Sequence, residues 1–398
     1  MRIYLDHNAG TPIRPAAREA IARFAADEVC GNPASIHHAG QRARRMLELA
    51  REQVASLIGA PPRSIVFTSG GTEANNLALH GVFAAANGRP VRIVTSAIEH
   101  SSVLAPIAEL ERRGCDIVRL APDRDGRIPL DALDDAARPG CALISIGLAN
   151  TEVGTIQDGA GIAGIATGAG ALFHLDAVQA VGRVPLRVDD LGCDLLSISG
   201  HKFGGPPGIG ALYVRPGVRL APHLTGGSNE AGLRAGTPNL IGAIAMGAAV
   251  EEATQAMVEG QARIATLAEL LHERLRAAIP GLTLNGPRDG RLRNTLNLTF
   301  PAVAGESMLI ALDLAGVEVS MGSACAAGAV EPSHVLLAMG RSAAEARSSL
   351  RISLGWSTTA DEIARAAEII PRVWRRVATA EPIAASGAVP TAPSEAVK

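Results

Sequence analysis

Lysine occurs at only two positions in this 398-residue sequence, Lys202 and Lys398, although 37 residues are Lys or Arg. Every other internal guanidinium or ammonium is an arginine, which does not deprotonate, so Lys202 is the one internal amine that can attack a carbonyl as a free base. It lies in Ser197-Ile198-Ser199-Gly200-His201-Lys202-Phe203-Gly204-Gly205-Pro206-Pro207-Gly208. Small residues there leave room for a planar ring, and Ser199 and His201 can donate to a phosphate. A second stretch, His174-Leu175-Asp176-Ala177-Val178-Gln179, brings a carboxylate out of an apolar run, which is costly unless the charge is paired. A third, Thr68-Ser69-Gly70-Gly71-Thr72-Glu73-Ala74-Asn75-Asn76, reads as a strand ending in glycines that open into a helix, where free N–H groups and the helix dipole favour a phosphate. Taken singly, each has a plainer reading: a solvated lysine on a turn, a helix cap at Asp176, a turn capped by Thr72. Taken together they suit pyridoxal phosphate, bound to Lys202 as a Schiff base, with Asp176 on its ring nitrogen so that the ring acts as an electron sink.

The five cysteines are Cys30, Cys115, Cys141, Cys193 and Cys325. Their odd number and the absence of C-x-x-C spacing argue against a disulfide framework and a zinc knot. Cys115, Cys141 and Cys193 stand in or beside apolar runs and read as small buried hydrophobes; Cys30, before a turn-rich stretch, could be either kind. Cys325 lies in Ser323-Ala324-Cys325-Ala326-Ala327-Gly328, with no apolar bulk around it. That setting suits a loop nucleophile that reaches into a pocket and then presents what it has collected.

The elements that must position these groups are legible as short apolar runs between helical patterns. Strands are expected at Ile65 to Thr68, Val91 to Ser96, Ala142 to Leu148, Ala171 to Leu175, Asp194 to Ser199 and Ile209 to Val214, with helices such as Ala74 to Ala86 and Ser102 to Arg113 between them. Strands this apolar are buried on both faces, which predicts an α/β fold with a mainly parallel sheet. The short Gly/Pro connection into Ile209 to Val214 makes that pair a candidate for antiparallel pairing. Ile241 to Ile279 reads as an inter-domain helix, followed by a smaller α+β unit with a strand at Thr295 to Phe300 and helices at Glu306 to Ala315 and Thr359 to Ala378. The expected division is a large domain over 15–255, a small domain from 1–14 and 256–379, and a disordered Ala/Pro/Ser-rich tail over 380–398.

Composition excludes other classes. With 47% hydrophobic and 19% charged residues and a formal net charge of −2, the chain has ample core material and no basic face for nucleic acid. Its longest apolar runs fall short of the ~20 residues of a membrane span, and Met1 to Thr11 lacks the apolar run of a signal peptide, so a cytoplasmic location is expected.

Further motifs accompany these three: Tyr4-Leu5-Asp6-His7-Asn8-Ala9, Gly31-Asn32-Pro33-Ala34-Ser35-Ile36-His37, Glu99-His100, Glu152-Val153-Gly154-Thr155-Ile156-Gln157, Gly226-Gly227-Ser228-Asn229-Glu230 leading to Arg234-Ala235-Gly236-Thr237, Gly322-Ser323-Ala324-Cys325, and Ser349-Leu350-Arg351-Ile352-Ser353-Leu354-Gly355. In this order the chain resembles, nearly end to end, the cysteine desulfurases of the NifS/IscS type, class V aminotransferase relatives with the fold-type I architecture of pyridoxal-phosphate enzymes. The resemblance implies a seven-stranded type of sheet and a catalytic set of Lys202, Cys325 and His100. It further implies that His100 stacks on the cofactor ring, Asp176 faces its nitrogen and Gln179 its hydroxyl. Gly71, Thr72, Ser199 and His201 would hold the phosphate, with Thr237 reaching it from a second subunit of a homodimer. Arg351, helped by Asn150 or Thr151, would bind the carboxylate of L-cysteine. No resident metal is implied, although Cys325 could transiently ligate an iron–sulfur cluster while passing sulfur to an acceptor protein. Two positions depart from the pattern: Thr151 stands where an asparagine is usual, and Gly10 where a threonine is usual.

Overall fold

A computed structural model describes residues 2–26, 31–137, 140–322 and 331–380. In chain order its strands are β1 (Ile3–Tyr4), β2 (Ile65–Thr68), β3 (Arg92–Ser96), β4 (Asp116–Leu120), β5 (Cys141–Gly147), β6 (Leu172–Asp176), β7 (Leu195–Ser199), β8 (Gly210–Val214), β9 (Thr283–Asn285), β10 (Thr295–Thr299), β11 (Val317–Glu318) and β12 (Ser349–Ser353). Seven of them form one sheet in the order β2-β8-β7-β6-β5-β3-β4. All neighbours in it run parallel except β8, which is antiparallel to both β2 and β7. The expected antiparallel pair is thus present. Its position lets β2 point the same way as β6 and β7, so that Thr68, Asp176 and Ser199 end at one edge of the sheet. Crevices at the carboxyl ends of such strands are where α/β sheets bind ligands.

β2, β7 and β8 are buried along their whole length, as expected of strands covered by helices on both faces. β4 escaped the sequence reading because, at one edge of the sheet, its apolar run is broken by the exposed Asp116 and Arg119, and charges of this kind guard an open edge. Where β8 meets β2 the backbones come very close. A Cβ on Gly210 would sit 2.6 Å from the Ile198 carbonyl oxygen and 2.7 Å from the Gly70 backbone, so no side chain fits there.

Ile241 to Ile279 is two helices, Leu240–Gln255 and Met257–Ala278, separated at Ala256. No Gly or Pro marks the break. The first helix packs on Pro15–Ala25 and His38–Leu57, the second on Ala360–Ala380, and one straight rod cannot lie on both surfaces. The second hydrophobic cluster joins Ile3 and Leu5 to residues of Met257–Ala278, β10, β12 and Ala360–Ala380, around an antiparallel sheet ordered β12-β10-β9. The amino-terminal strand therefore packs with the carboxyl-terminal half of the chain. The final expected helix extends to Ala380, while the tail from 381 onward lies outside the described residues.

The segment leading to Thr237 is pinned from both sides. Glu230 and Ala231 adopt left-handed backbone angles, φ +47° and +55°, which non-glycine residues hold only when surroundings compel it. Here the Glu230 carboxylate accepts from Arg51 Nη1 and Nη2 at 2.7 and 2.8 Å and from the Phe67 amide at 2.7 Å. Arg234 Nε donates to Glu73 Oε1 at 2.8 Å. Because the Arg51–Glu230 pair is nearly sealed from solvent, removing one partner leaves a buried charge behind. Glu230→Gln should therefore lower unfolding stability by about 3 kcal/mol, measured by urea denaturation; a loss below about 0.5 kcal/mol would show that the pair is not holding this turn.

Candidate active site

At the carboxyl edge of the sheet lies a cleft of about 230 Å³ lined by, among others, Gly71, Thr72, His100, Asp176, Gln179, Ser199, His201 and Lys202. Five separate sequence stretches meet there, the fifth around Asn150 and Thr151. The helix Gly71–Ala85 starts directly at the cleft, with Gly70 as its cap residue and no side-chain cap. Thr72 thus does not cap the turn. The first backbone bond of this helix is Ala74 N to Gly70 O, so the amides of its opening turn are available to a ligand. A Cβ on Gly71 would collide with Val178 at 2.7 Å, so glycine is needed where the helix approaches the turn after Asp176. Beside it, Ser199 Oγ and His201 Nδ1 are 2.9 Å apart. Burial, and then the charge of Lys202, pull the His201 pKa down to about 4, making it a neutral donor at physiological pH.

Asp176 ends β6 at the other side of the cleft. Its Oδ2 accepts from Asn75 Nδ2 at 2.8 Å and its Oδ1 from the Val178 amide at 3.0 Å. The second bond is a local turn bond that uses only one oxygen; no helix directly follows Asp176, so the plainer reading of a helix cap does not describe it. Among the described residues Asp176 makes no ion pair, although it is 9% exposed. Asn75 is the residue that sequence reasoning missed here: it also donates to Ser102 Oγ at 2.8 Å, and Ser102 meets His100 Nδ1 at 2.7 Å. The signal was available, since Asn75 follows Gly71 by four residues and shares its helix face. His100 accepts from the Ser102 amide at 3.1 Å and so caps the helix Ser101–Arg112. This fixes its ring at the cleft wall, and burial there lowers its pKa.

Lys202 projects between these two ends. Its ammonium donates to the carbonyls of Asn8 and Ala9 at 2.7 and 2.9 Å. Burial first, then Arg183 and Arg351, lower its pKa to about 8. Asn8, fully buried, proves to be the hub of the amino-terminal segment. Its carbonyl also accepts from Gln179 Nε2 at 3.0 Å, and its side chain joins Thr151 O, Thr295 Oγ1 and Asn294 at 2.9 to 3.0 Å. Glu99, beneath the cleft, is fully buried, and desolvation raises its carboxyl pKa to about 7.

The residues expected to hold a carboxylate are less uniformly placed. Asn150 lines the cleft, but its Nδ2 donates to Ile98 O at 3.1 Å and its Oδ1 accepts from the Glu152 and Val153 amides at 2.9 and 3.1 Å. Thr151 Oγ1 accepts from Gln179 Nε2 at 2.9 Å. Arg351 stands behind Thr151, its Nη1 at 3.3 Å from the Thr151 carbonyl and its Nη2 at 2.7 Å from Asp6 Oδ1, while its buried Nε has no partner among the described residues. A Cβ on Gly10 would meet nothing within 4 Å, so a side chain at that position would find open space. Thr237 is exposed and does not line the cleft. Cys325 lies outside the described residues, as does Cys30. Cys115, Cys141 and Cys193 are buried free thiols, and burial pushes Cys193 up to about 12. Among the described residues no group of three or more His, Cys, Asp and Glu could hold a metal ion, and no helix is long and apolar enough to cross a membrane.

Comparison with known proteins gives this geometry a family. The cysteine desulfurase IscS of Dictyoglomus turgidum is 44% identical over 380 residues, covering 96% of each chain. A solved structure of a NifS-like protein superposes with a TM-score of 0.89 at 34% identity, over 94% of this chain and 100% of its own. Another, SspA in complex with cysteine, gives 0.80 at 35% identity over 90% and 100%. The aminotransferase class-V family matches residues 3–366. With that span and these relatives, the chain belongs to the aminotransferase class-V family, with the fold of its NifS-like members.

Proposed function

We propose that this chain is a cysteine desulfurase that uses pyridoxal phosphate, converting L-cysteine and a thiol of its own into L-alanine and a persulfide. The observation that carries the cofactor reading is a cleft with two opposite ends and one amine between them. At one end a helix begins without a cap, beside Ser199 and neutral His201, a donor set that fits a phosphate. At the other, Asp176 is buried and oriented by Asn75, with no cationic partner among the described residues. A carboxylate so placed fits a protonated ring nitrogen, which would supply the charge it otherwise lacks.

Gly71, Thr72, Ser199 and His201 would hold the phosphate, Asp176 the ring nitrogen, Gln179 the ring oxygen and His100 the ring face. When bound, pyridoxal phosphate supplies an electron sink that acidifies the α-hydrogen of an amino acid. The protein's own part is to hold and move protons and to position the substrate. Lys202, with its pKa near 8, is a base of matched strength for the α-proton. Arg351, whose planar fork suits a carboxylate, would bind that of the substrate, with Thr151 between it and the cleft. Cys325 would accept the sulfur: the C–S bond of cysteine breaks as an S–S bond to Cys325 forms. The persulfide would then pass to a sulfur-acceptor protein of the cytoplasm. The exposure of Thr237 outside its own cleft, on a segment held by Arg51 and Glu73, supports a homodimer in which Thr237 completes the partner subunit's cleft.

The reading is tested by supplying purified protein with L-cysteine, selenocysteine, and amino-acid/keto-acid pairs. A desulfurase consumes cysteine without a keto acid. Turnover of selenocysteine alone would make the chain a selenocysteine lyase, keto-acid dependence an aminotransferase, and no turnover with any of them a non-catalytic protein. A pH prediction accompanies it. Uptake of pyridoxal phosphate by cofactor-free protein requires the neutral amine of Lys202. Its rate should therefore rise with pH through about 8 and level off above. At pH 7.4 this lysine has a neutral fraction roughly a few hundred-fold above that of a free lysine. A rate still climbing at pH 10 would contradict the assigned environment.

A further inference from the structure

Behind Lys202, on the side away from the cleft, lies a groove of about 390 Å³ between the two halves of the chain, lined in part by His7, Arg183 and Lys202. Arg183 separates the groove from the cleft. All four of its hydrogen bonds end on neutral acceptors: Gln179 O at 3.2 Å, Gln179 Oε1, His7 O at 3.2 Å and Lys202 O at 3.5 Å. An arginine enclosed here without a carboxylate is costly. Nothing in the sequence reading gave it a role.

We propose that Arg183 is a positioning residue of the active site, which fixes the direction of the Gln179 amide and sets a permanent, unneutralised cation behind Lys202. The first half follows from donor and acceptor identity. A guanidinium has no acceptor atom, so the end of Gln179 that meets Arg183 must be Oε1. The other end, Nε2, then donates to Asn8 O and Thr151 Oγ1. The reversed amide would place N–H groups against the guanidinium and its oxygen against the Asn8 carbonyl, keeping at most a bond donated by the Thr151 hydroxyl. Both N–H groups of Gln179 are thereby committed, one to the Asn8 carbonyl and one to Thr151 Oγ1, so the fixed amide ties the amino-terminal segment and the Thr151 turn to the cleft wall beside Lys202.

The second half follows from the charges around the amine. From the amino-terminal segment Lys202 faces Asp6 and the buried His7, from β12 Arg351, from β6 Asp176, from the start of Ser101–Arg112 His100, and beside it His201. Burial holds His7 and His201 neutral. Asp6 is engaged by Arg351 at 2.7 Å, which leaves Arg183 as a cation with no ion-pair partner among the described residues. Burial and Arg351 lower its own pKa only to about 9, so it stays charged at neutral pH. Its charge adds to burial in making the Lys202 ammonium easier to deprotonate.

The test uses the full-length protein with Arg183→Met, which keeps length and loses charge, and Arg183→Lys, which keeps charge and loses the fork. In cofactor-free protein, the pH dependence of reductive methylation at the Lys202 peptide, read by mass spectrometry, reports the amine directly. Arg183→Met should move the midpoint up by roughly one pH unit, and Arg183→Lys should leave it within about 0.3 units of wild type. In cofactor-loaded protein, the pH midpoint of the bound chromophore should move upward in Arg183→Met. It should move only partly back in Arg183→Lys, because a single ammonium cannot hold Gln179 and both carbonyls together. The loaded arm rests on the pyridoxal-phosphate reading and fails with it if no chromophore binds, whereas the methylation arm does not depend on that reading. An Arg183→Met midpoint equal to wild type in the methylation arm overturns the proposal. If Arg183→Met does not fold, a midpoint displaced by a full unit in Arg183→Lys overturns it equally.

Discussion

Lys202→Ala should leave a folded protein whose turnover of L-cysteine falls by at least about 10³-fold, since a positioned general base contributes 10²–10⁴ and the covalent hold on the cofactor is lost as well. Folding should survive because the ammonium gives up only two bonds: the buried Asn8 carbonyl keeps its bond from Gln179 Nε2, and Ala9 is exposed, so water can replace the ammonium there. The chain offers no substitute, its one other lysine being Lys398 at the far terminus. Turnover, thermal melting and chromophore retention after gel filtration would check this. A variant that keeps covalently held cofactor would remove Lys202 from the centre of the site.

Cys325→Ala separates cofactor chemistry from sulfur chemistry. The variant should bind pyridoxal phosphate with the same absorbance as wild type, because Lys202, Asp176, Ser199 and His201, the groups proposed to hold the cofactor, are unchanged. Alanine formation should nevertheless drop to background, as no other thiol among the described residues is placed to serve: Cys115, Cys141 and Cys193 are buried, and burial raises the thiols of Cys141 and Cys193 away from the reactive thiolate. Alanine release by Cys325→Ala at more than about a tenth of the wild-type rate would mean that sulfur leaves by another route.

These expectations differ in how far the sequence alone carried them. Lys202 and Asp176 were legible because each breaks a local rule, one as a lysine in a chain that otherwise uses arginine, the other as an acid leaving an apolar strand. The parallel sheet was legible from its buried runs, while β4 was not, because Asp116 and Arg119 interrupt its apolar run at the sheet edge. The break at Ala256 could not be read either, since it follows from two packing surfaces and from no local residue. The same holds within the site. Asn8 and Arg183 reach Lys202 across 194 and 19 residues of sequence, and side chains acting at that distance leave no periodic trace. Asn150 carries the complementary lesson. The resemblance implied a substrate contact for it; it lines the cleft, and its amide also holds the turn that carries Thr151 and Glu152, a bond that residue type alone does not reveal.

Thr151 and Arg351 connect the two halves of the site. Arg351 lies on β12 opposite Asn297 of β10, in the carboxyl-terminal unit, and touches Thr151 and Asp6 from there. A substrate carboxylate would compete with Asp6 for the guanidinium, whose Nε, without a partner among the described residues, leaves bonding capacity in reserve. Binding of an amino acid would thereby be coupled to the contact between the two units.

The most direct measurement is the product balance on wild-type protein given L-cysteine alone. The account predicts L-alanine and protein-bound sulfur in equal amounts during the first turnover, with a mass increase of one sulfur atom on the peptide that carries Cys325. Cysteine consumed without alanine, or alanine formed while that peptide keeps its original mass, would contradict it.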